Sequence, residues 1–238
     1  DKGQWAMIFN ETVKSDSNPV DRTEKFMFDG ERLIQHIIKQ RYFEEEISNE
    51  VNLSYSDNQV TVTTDYLTLV YTLNSEGYAS QCVYSLSSQN RIYQFSYSAE
   101  GYLTGIVENI DDTEYSSTSL TYENGDITSI SSKMNGLENK FIYEPGEESS
   151  TYHLPCLGLL EIHPLTFHIE ALYAGLLGKD PRHFTMHSCP AGSNDEKTVY
   201  SYGFDKKGNP SRMICQTTYA GGQASYYPYT RNISISFE

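Results

Sequence analysis

Positive charge is scarce in this chain. Its 238 residues carry 17 Lys and Arg against 32 Asp and Glu, a net charge of −15. So acidic a surface repels phosphate backbones, which sets nucleic acid aside as a partner. Long apolar runs are missing as well. No stretch reaches the roughly 18 residues of a membrane-spanning helix. The most apolar segment, LPCLGLLEIHPLTFHIEALYAGLLG, is interrupted by Glu161, His163 and Pro164. Cysteine is sparse: Cys82, Cys156, Cys189 and Cys215 show no Cys-x-x-Cys spacing. Disulfides in an oxidising compartment and buried free thiols both remain open.

Catalytic signatures are absent too. There is no Gly-x-Ser-x-Gly elbow, no Gly-x-x-x-x-Gly-Lys phosphate loop and no His-Glu-x-x-His metal helix. The acidic clusters Glu44–Glu46, Asp111–Asp112 and Glu147–Glu148 fall in turn-like stretches and read as solvated loop charges. Asn-x-Ser/Thr occurs at Asn10, Asn52 and Asn232, a motif short enough to arise by chance. The chain reads as a non-enzyme with no cofactor. It opens at Asp1 rather than Met, so it reads as a mature or trimmed chain whose signal peptide would no longer be visible.

What is present is tyrosine, 20 of them, and a repeat. VYTLNSEGYASQC, FSYSAEGYLTGI and SLTYENGDITSI align on Gly77, Gly101 and Gly125, spaced 24 residues apart. Ahead of Gly101, Tyr93, Phe95 and Tyr97 alternate with Gln94 and Ser96. Ahead of Gly77, Leu69, Tyr71 and Leu73 alternate with Val70 and Thr72. This period of two marks strands with one buried face. Asn124-Gly125 suits a tight hairpin turn in which both residues take positive φ. Weaker copies lie at KFMFDGERLI, at LSYSDNQVTV and at YSYGFDKKGNPSRM, where Tyr200, Tyr202 and Phe204 precede Gly208. Each copy is a β-hairpin, with strands of roughly eight residues and short turns.

Consecutive hairpins make an all-β, up-and-down antiparallel meander of about 14–16 strands, more than an open sheet usually carries. It should curl into an open or partly closed barrel, as a single β domain over residues 1–238. After each repeat glycine, apolar residues fall at the second and fifth positions: Ala79 and Cys82, Leu103 and Ile106, Ile127 and Ile130. The odd offset means either that the first residue belongs to the turn or that a bulge resets the phase.

Residues 145–195 interrupt the meander. Within them Leu165, Ile169, Leu172 and Leu176 follow one helical face. Pro164 suits a first helical position and Gly178 a C′ position, so a helix is expected over about 164–177. It should cover the mouth or open side of the sheet.

The quoted repeats, with YGFDKKGNPSRM, resemble the YD-type repeat: an aromatic, a short Asp/Asn/Gly turn, then Leu-x-x-Ile. They are more specifically similar to a family of secreted Bacteroidetes proteins of unknown function with a porin-like fold. The resemblance covers roughly residues 20–143 and 196–238. It implies export to the cell envelope (periplasm or outer-membrane-associated), with membrane association only through a lipid anchor. It supplies no catalytic residues. The Tyr-Asp pair itself is mostly absent, with Phe28-Asp29 and Phe204-Asp205 the nearest matches.

Five of the six histidines, His153, His163, His168, His183 and His187, lie in the interruption. On a strand, His183, His187 and Cys189 would share one face. Its ends lie about 20 Å apart, too far for one zinc ion, so no metal is expected. The aromatic stripe reads as core or as the lining of an apolar cavity. If a lining, the ligand-binding residues are Tyr71, Tyr93, Phe95, Tyr97, Tyr202 and Phe204, with Leu172 on the covering helix. The chain would then bind an apolar or lipid-like ligand in a partly closed barrel. The alternative is an envelope interaction module recognising a glycan or protein partner. An outer-membrane barrel is a third reading, disfavoured by strands shorter than the 9–11 residues needed to span.

Overall fold

The computed structural model describes residues 3–13, 20–42, 44–86, 89–219 and 229–238. Sixteen strands follow one another: β1 (Gln4–Val13), β2 (Val20–Asp29), β3 (Arg32–Tyr42), β4 (Glu45–Tyr55), β5 (Gln59–Thr63), β6 (Thr68–Leu73), β7 (Ala79–Leu86), β8 (Gln89–Tyr97), β9 (Leu103–Ile110), β10 (Thr113–Glu123), β11 (Asp126–Met134), β12 (Leu137–Ser149), β13 (His183–Pro190), β14 (Glu196–Phe204), β15 (Pro210–Tyr219) and β16 (Tyr229–Phe237). Each is hydrogen-bonded to its sequence neighbours, and β1 pairs with β16, so the meander is a closed barrel. Closure removes both open edges that a sheet would otherwise expose.

The repeat glycines sit in hairpin turns, as their spacing requires. At the β10–β11 turn Asn124 has φ 53° and Gly125 φ 86°, the pair of positive angles a two-residue hairpin needs. The odd offset after each glycine is a bulge. The ladder shifts register at Thr72/Leu73, Ser96/Tyr97 and Thr121/Tyr122, and the same shift recurs at Met27/Phe28 and Gly203/Phe204. One extra residue after each turn (Ser80, Thr104, Thr128) lets both apolar positions face inward. Ala79, Cys82, Leu103, Ile106, Ile127 and Ile130 are accordingly all buried.

By compactness the chain divides into two units, Asp1–Asn52 with Gly192–Glu238, and Leu53–Ala191. In the first, the buried faces of β1, β2, β3, β15 and β16 supply Met7, Phe9, Phe26, Leu33, Met213 and Ile233. His36 is buried there too, stacked on Phe26 at 4.1 Å between centroids. Its Nε2 lies 3.1 Å from Glu24, which also holds Arg22 at 3.2 Å. Burial alone would raise the Glu24 carboxyl, but the His36 hydrogen bond and the His36 and Arg22 charges outweigh it and lower it to about 2. Arg231 grips buried Glu11 with two bonds, 2.6 and 3.0 Å.

In the second unit the interrupting segment fills the concave side of β6–β11. Its helical content is smaller than the apolar spacing suggests. It forms 3-10 turns at Leu157–Glu161 and Leu165–Phe167, then one α-helix, α1 (Ile169–Tyr173). Leu165 and Leu176 are buried as expected, but Ile169 and Leu172 are only half-buried, and Ala171 and Tyr173 take the inner positions. The chain leaves the helix at Gly175, whose φ is 71°. It then bonds across three successive repeat turns: Ala79 N–H to Leu176 O (2.8 Å), Lys179 N–H to Gly101 O (2.9 Å) and Arg182 N–H to Gly125 O (3.0 Å). Backbone groups committed to those turns cannot also continue a helix. Gly178 is not a helix cap. It sits against Gly101, where an added Cβ would lie 2.7 Å from the Gly101 carbonyl oxygen.

The exposed strand positions are mainly polar. Exposed positions carry hydrogen-bonded polar ladders, including Thr121–Ser129 (2.6 Å), Ser131–Glu138 (2.5 Å), Gln35–Glu50 (2.6 Å) and Arg212–Asn232 (2.9 Å). Half-buried aliphatics such as Val70, Val83 and Ile92 interrupt them. A lipid-facing barrel shows the reverse, with an outward apolar band. Strand length does not exclude a membrane barrel, because β1–β4, β10 and β15 reach 10 or 11 residues. The polar outward face is the stronger argument against one.

Candidate functional site

The aromatic stripe gathers around one histidine. Across β6, β7, β8 and β9 the register aligns Tyr71, Cys82, Tyr93 and Glu108 in one row. His168, at the start of α1, lies over this row and is fully buried. Its ring is edge-on to Tyr93 at 4.4 Å, Phe95 at 5.3 Å and Tyr71 at 5.7 Å. The Tyr71 hydroxyl is 2.7 Å from His168 Nδ1. Burial lowers the His168 pKa to about 3, so its imidazole is neutral. Burial also raises Tyr71, Tyr93 and Cys82, the last to about 12. With Tyr71 protonated, its O–H donates to Nδ1, and the His168 proton resides on Nε2.

Beside this lies a buried ionic group that the sequence reading missed. Glu108 is fully buried and accepts from Ser116 Oγ (2.7 Å) and His163 Nε2 (2.5 Å), with Arg91 Nη1 at 3.4 Å. Burial raises its pKa, yet the hydrogen bonds from His163 and Ser116 and the His163 and Arg91 charges hold it below the usual carboxylate range. The His163 carbonyl in turn accepts from Ser132 (3.0 Å) and Thr118 (3.3 Å) on the wall. The available signal was a Glu at an inward position of LTGIVENI, two residues after Ile106. The unresolved phase of that strand concealed it.

The other expected lining residues divide. The Tyr97 hydroxyl is committed to the Ala79 carbonyl at 2.6 Å. Leu172 borders a void of about 40 Å³ shared with Leu103, Leu120, Ile127 and Leu165. Tyr202 and Phe204 belong to the other compact unit. Tyr202 is half-buried, and Phe204, at the end of β14 beyond a bulge, is 37% exposed, so Phe204 lines no buried face. His183 and His187 pair with Asp126 (2.8 Å) and Glu144 (3.0 Å). Among the described residues no group of three or more His, Cys, Asp or Glu is placed to hold a metal ion. The four cysteines are free thiols, with Cys189 half-buried and the others buried.

An open concavity lies at the glycine-turn end of this unit. The β8–β9 and β10–β11 turns and Lys179 border an open groove of about 820 Å³. Tyr102 and Tyr122 line it with ring centroids 5.0 Å apart, accompanied by Ser98, Glu100, Thr104, Thr121 and Asn124. Tyr102 can lie there because position 125 is glycine: a Cβ on Gly125 would sit 2.6 Å from the Tyr102 hydroxyl.

Residues 26–212 match the domain of unknown function DUF4595, with porin-like fold. The chain belongs to this family. Among the solved structures similar to this chain are two from Bacteroides. One is a porin-like protein from Bacteroides uniformis, 27% identical, with a TM-score of 0.88 over 98% of this chain and 96% of that one. A porin-like protein from Bacteroides vulgatus, 12% identical, shares the fold at a TM-score of 0.58 over 96% and 97% of the two chains. No curated protein matches.

Proposed function

We propose that this DUF4595 protein is a non-enzymatic, exported cell-envelope module that recognises a glycan in the Tyr102–Tyr122 groove. The observation that carries this is the pairing of two tyrosine rings with hydroxyl, amide, carboxylate and ammonium side chains in one open groove. Sugar rings offer apolar C–H faces to aromatic rings and hydroxyls to polar side chains, the two surfaces that tyrosine supplies together. The porin-like relatives from Bacteroides support an envelope setting. A pore is disfavoured by the polar outward ladders. A lipid-like ligand is disfavoured by the void beside Leu172, about 40 Å³, against the roughly 300–1,000 Å³ of typical ligand pockets.

Screening the purified chain on a glycan array, followed by calorimetry with the retained sugar, tests this reading. Tyr102→Ala and Tyr122→Ala should each weaken binding about tenfold or more, equivalent to about 1.4 kcal/mol. Leu172→Ala should leave it unchanged. No retained glycan, or equal binding by all three variants, refutes the assignment.

A further inference from the structure

We propose that His168, Tyr93 and Glu108 together bind a buried water molecule, which joins the inserted segment to the barrel wall. All three side chains are fully buried, and each has an atom without a hydrogen-bond partner: His168 Nε2, Tyr93 Oη and Glu108 Oε1. Arg91 Nη1 approaches Glu108 Oε1 at 3.4 Å, an ionic contact that leaves the oxygen short of a hydrogen bond. The three groups are neighbours. Tyr93 and Glu108 face each other across β8 and β9, and the His168 ring stands 4.4 Å from the Tyr93 ring. His168 Nδ1 is taken by Tyr71, so Nε2 is the ring nitrogen left for another partner.

Their hydrogen-bonding roles are complementary to water. His168 Nε2–H is a donor, Glu108 Oε1 is an acceptor, and Tyr93 Oη is both. A single water accepts from the first, donates to the second, and bonds the third in either sense. Three partners is the usual number for a buried water, and buried waters are found where polar groups lack other partners. As the side chains are placed, none of the three atoms reaches hydrogen-bond geometry with another protein group, so a bridging molecule is what satisfies them together. The site takes a small, neutral molecule able to donate and accept at once. An anion is opposed by Glu108, and a cation by Arg91. The joint complements the direct His163–Glu108 bond, so the inserted segment meets the wall at two adjacent points on one carboxylate.

A crystal structure of the full chain that resolves ordered waters tests the proposal. The expected result is a water peak within hydrogen-bond distance of His168 Nε2 and of Tyr93 Oη or Glu108 Oε1. The second measurement is the melting temperature of Tyr93→Phe, which keeps the ring and deletes only Oη. A bridged hydroxyl makes this variant melt lower, whereas an unsatisfied one makes it melt at the same or a higher temperature. No water peak among the three side chains, or a Tyr93→Phe variant that melts no lower than the parent, overturns the proposal.

Discussion

His168 should make folding stability fall with acid over a defined range. Its folded-state pKa is lowered by burial from 6.5 to about 3. The native protein therefore keeps the imidazole neutral across a range in which the unfolded chain binds a proton. The contribution is fully present above pH 6.5 and is lost as pH falls toward 3, below which both states are protonated. Each pH unit inside the window corresponds to about 1.4 kcal/mol, so lowering the pH from 6.5 to 5 should remove about 2 kcal/mol. The assay is urea denaturation at several pH values, comparing the parent with His168→Gln, which does not titrate but can still accept from Tyr71. The variant will be less stable at neutral pH, but the informative quantity is the slope. The parent should lose about 2 kcal/mol more than the variant over that interval. Parallel curves would refute the neutral, buried histidine and the Tyr71 bond that fixes its tautomer. An NMR titration of the His168 ring checks the same point, since its shifts should stay those of the neutral Nε2–H form at pH 5.

The remaining predictions concern packing and charge. Leu165→Ala, at a position 1% exposed, should cost about 2–5 kcal/mol in chemical denaturation. Gly178→Ala combines a φ of 89° with a Cβ 2.7 Å from the Gly101 carbonyl oxygen, so it should lower the melting temperature and raise hydrogen exchange across residues 175–182. Arg231→Leu leaves Glu11 buried without its partner and should destabilise by about 3–5 kcal/mol, while Arg231→Leu with Glu11→Leu recovers most of the loss. Glu24, lowered to about 2, contributes stability above pH 4.5 that is lost as pH falls through 2. Glu24→Gln should flatten the stability curve below pH 4.5.

Local chemistry sufficed for the meander. Alternation around Tyr71, Tyr93 and Phe95, with positive-φ residues such as Gly101 and Asn124-Gly125 at a fixed interval, defines strands and turns through contacts between near neighbours in the chain. The buried face follows from the same alternation. The bulges were visible only as a conflict of phase, because the choice between a turn residue and an extra strand residue depends on the partner strand.

Closure of the barrel, the course of residues 150–182 and the environment of Glu108 depended on contacts between distant parts of the chain. A 3.6-residue apolar period over 164–177 is a weak instruction when the same backbone can bond to Ala79, Gly101 and Gly125. Helix propensity is worth tenths of a kcal/mol per residue, and tertiary hydrogen bonds and burial outweigh it. Glu108, His163 and Arg91 lie in three separate stretches of sequence with no motif between them. Only the folded register of β8, β9 and β10, with the inserted segment laid across it, brings them together.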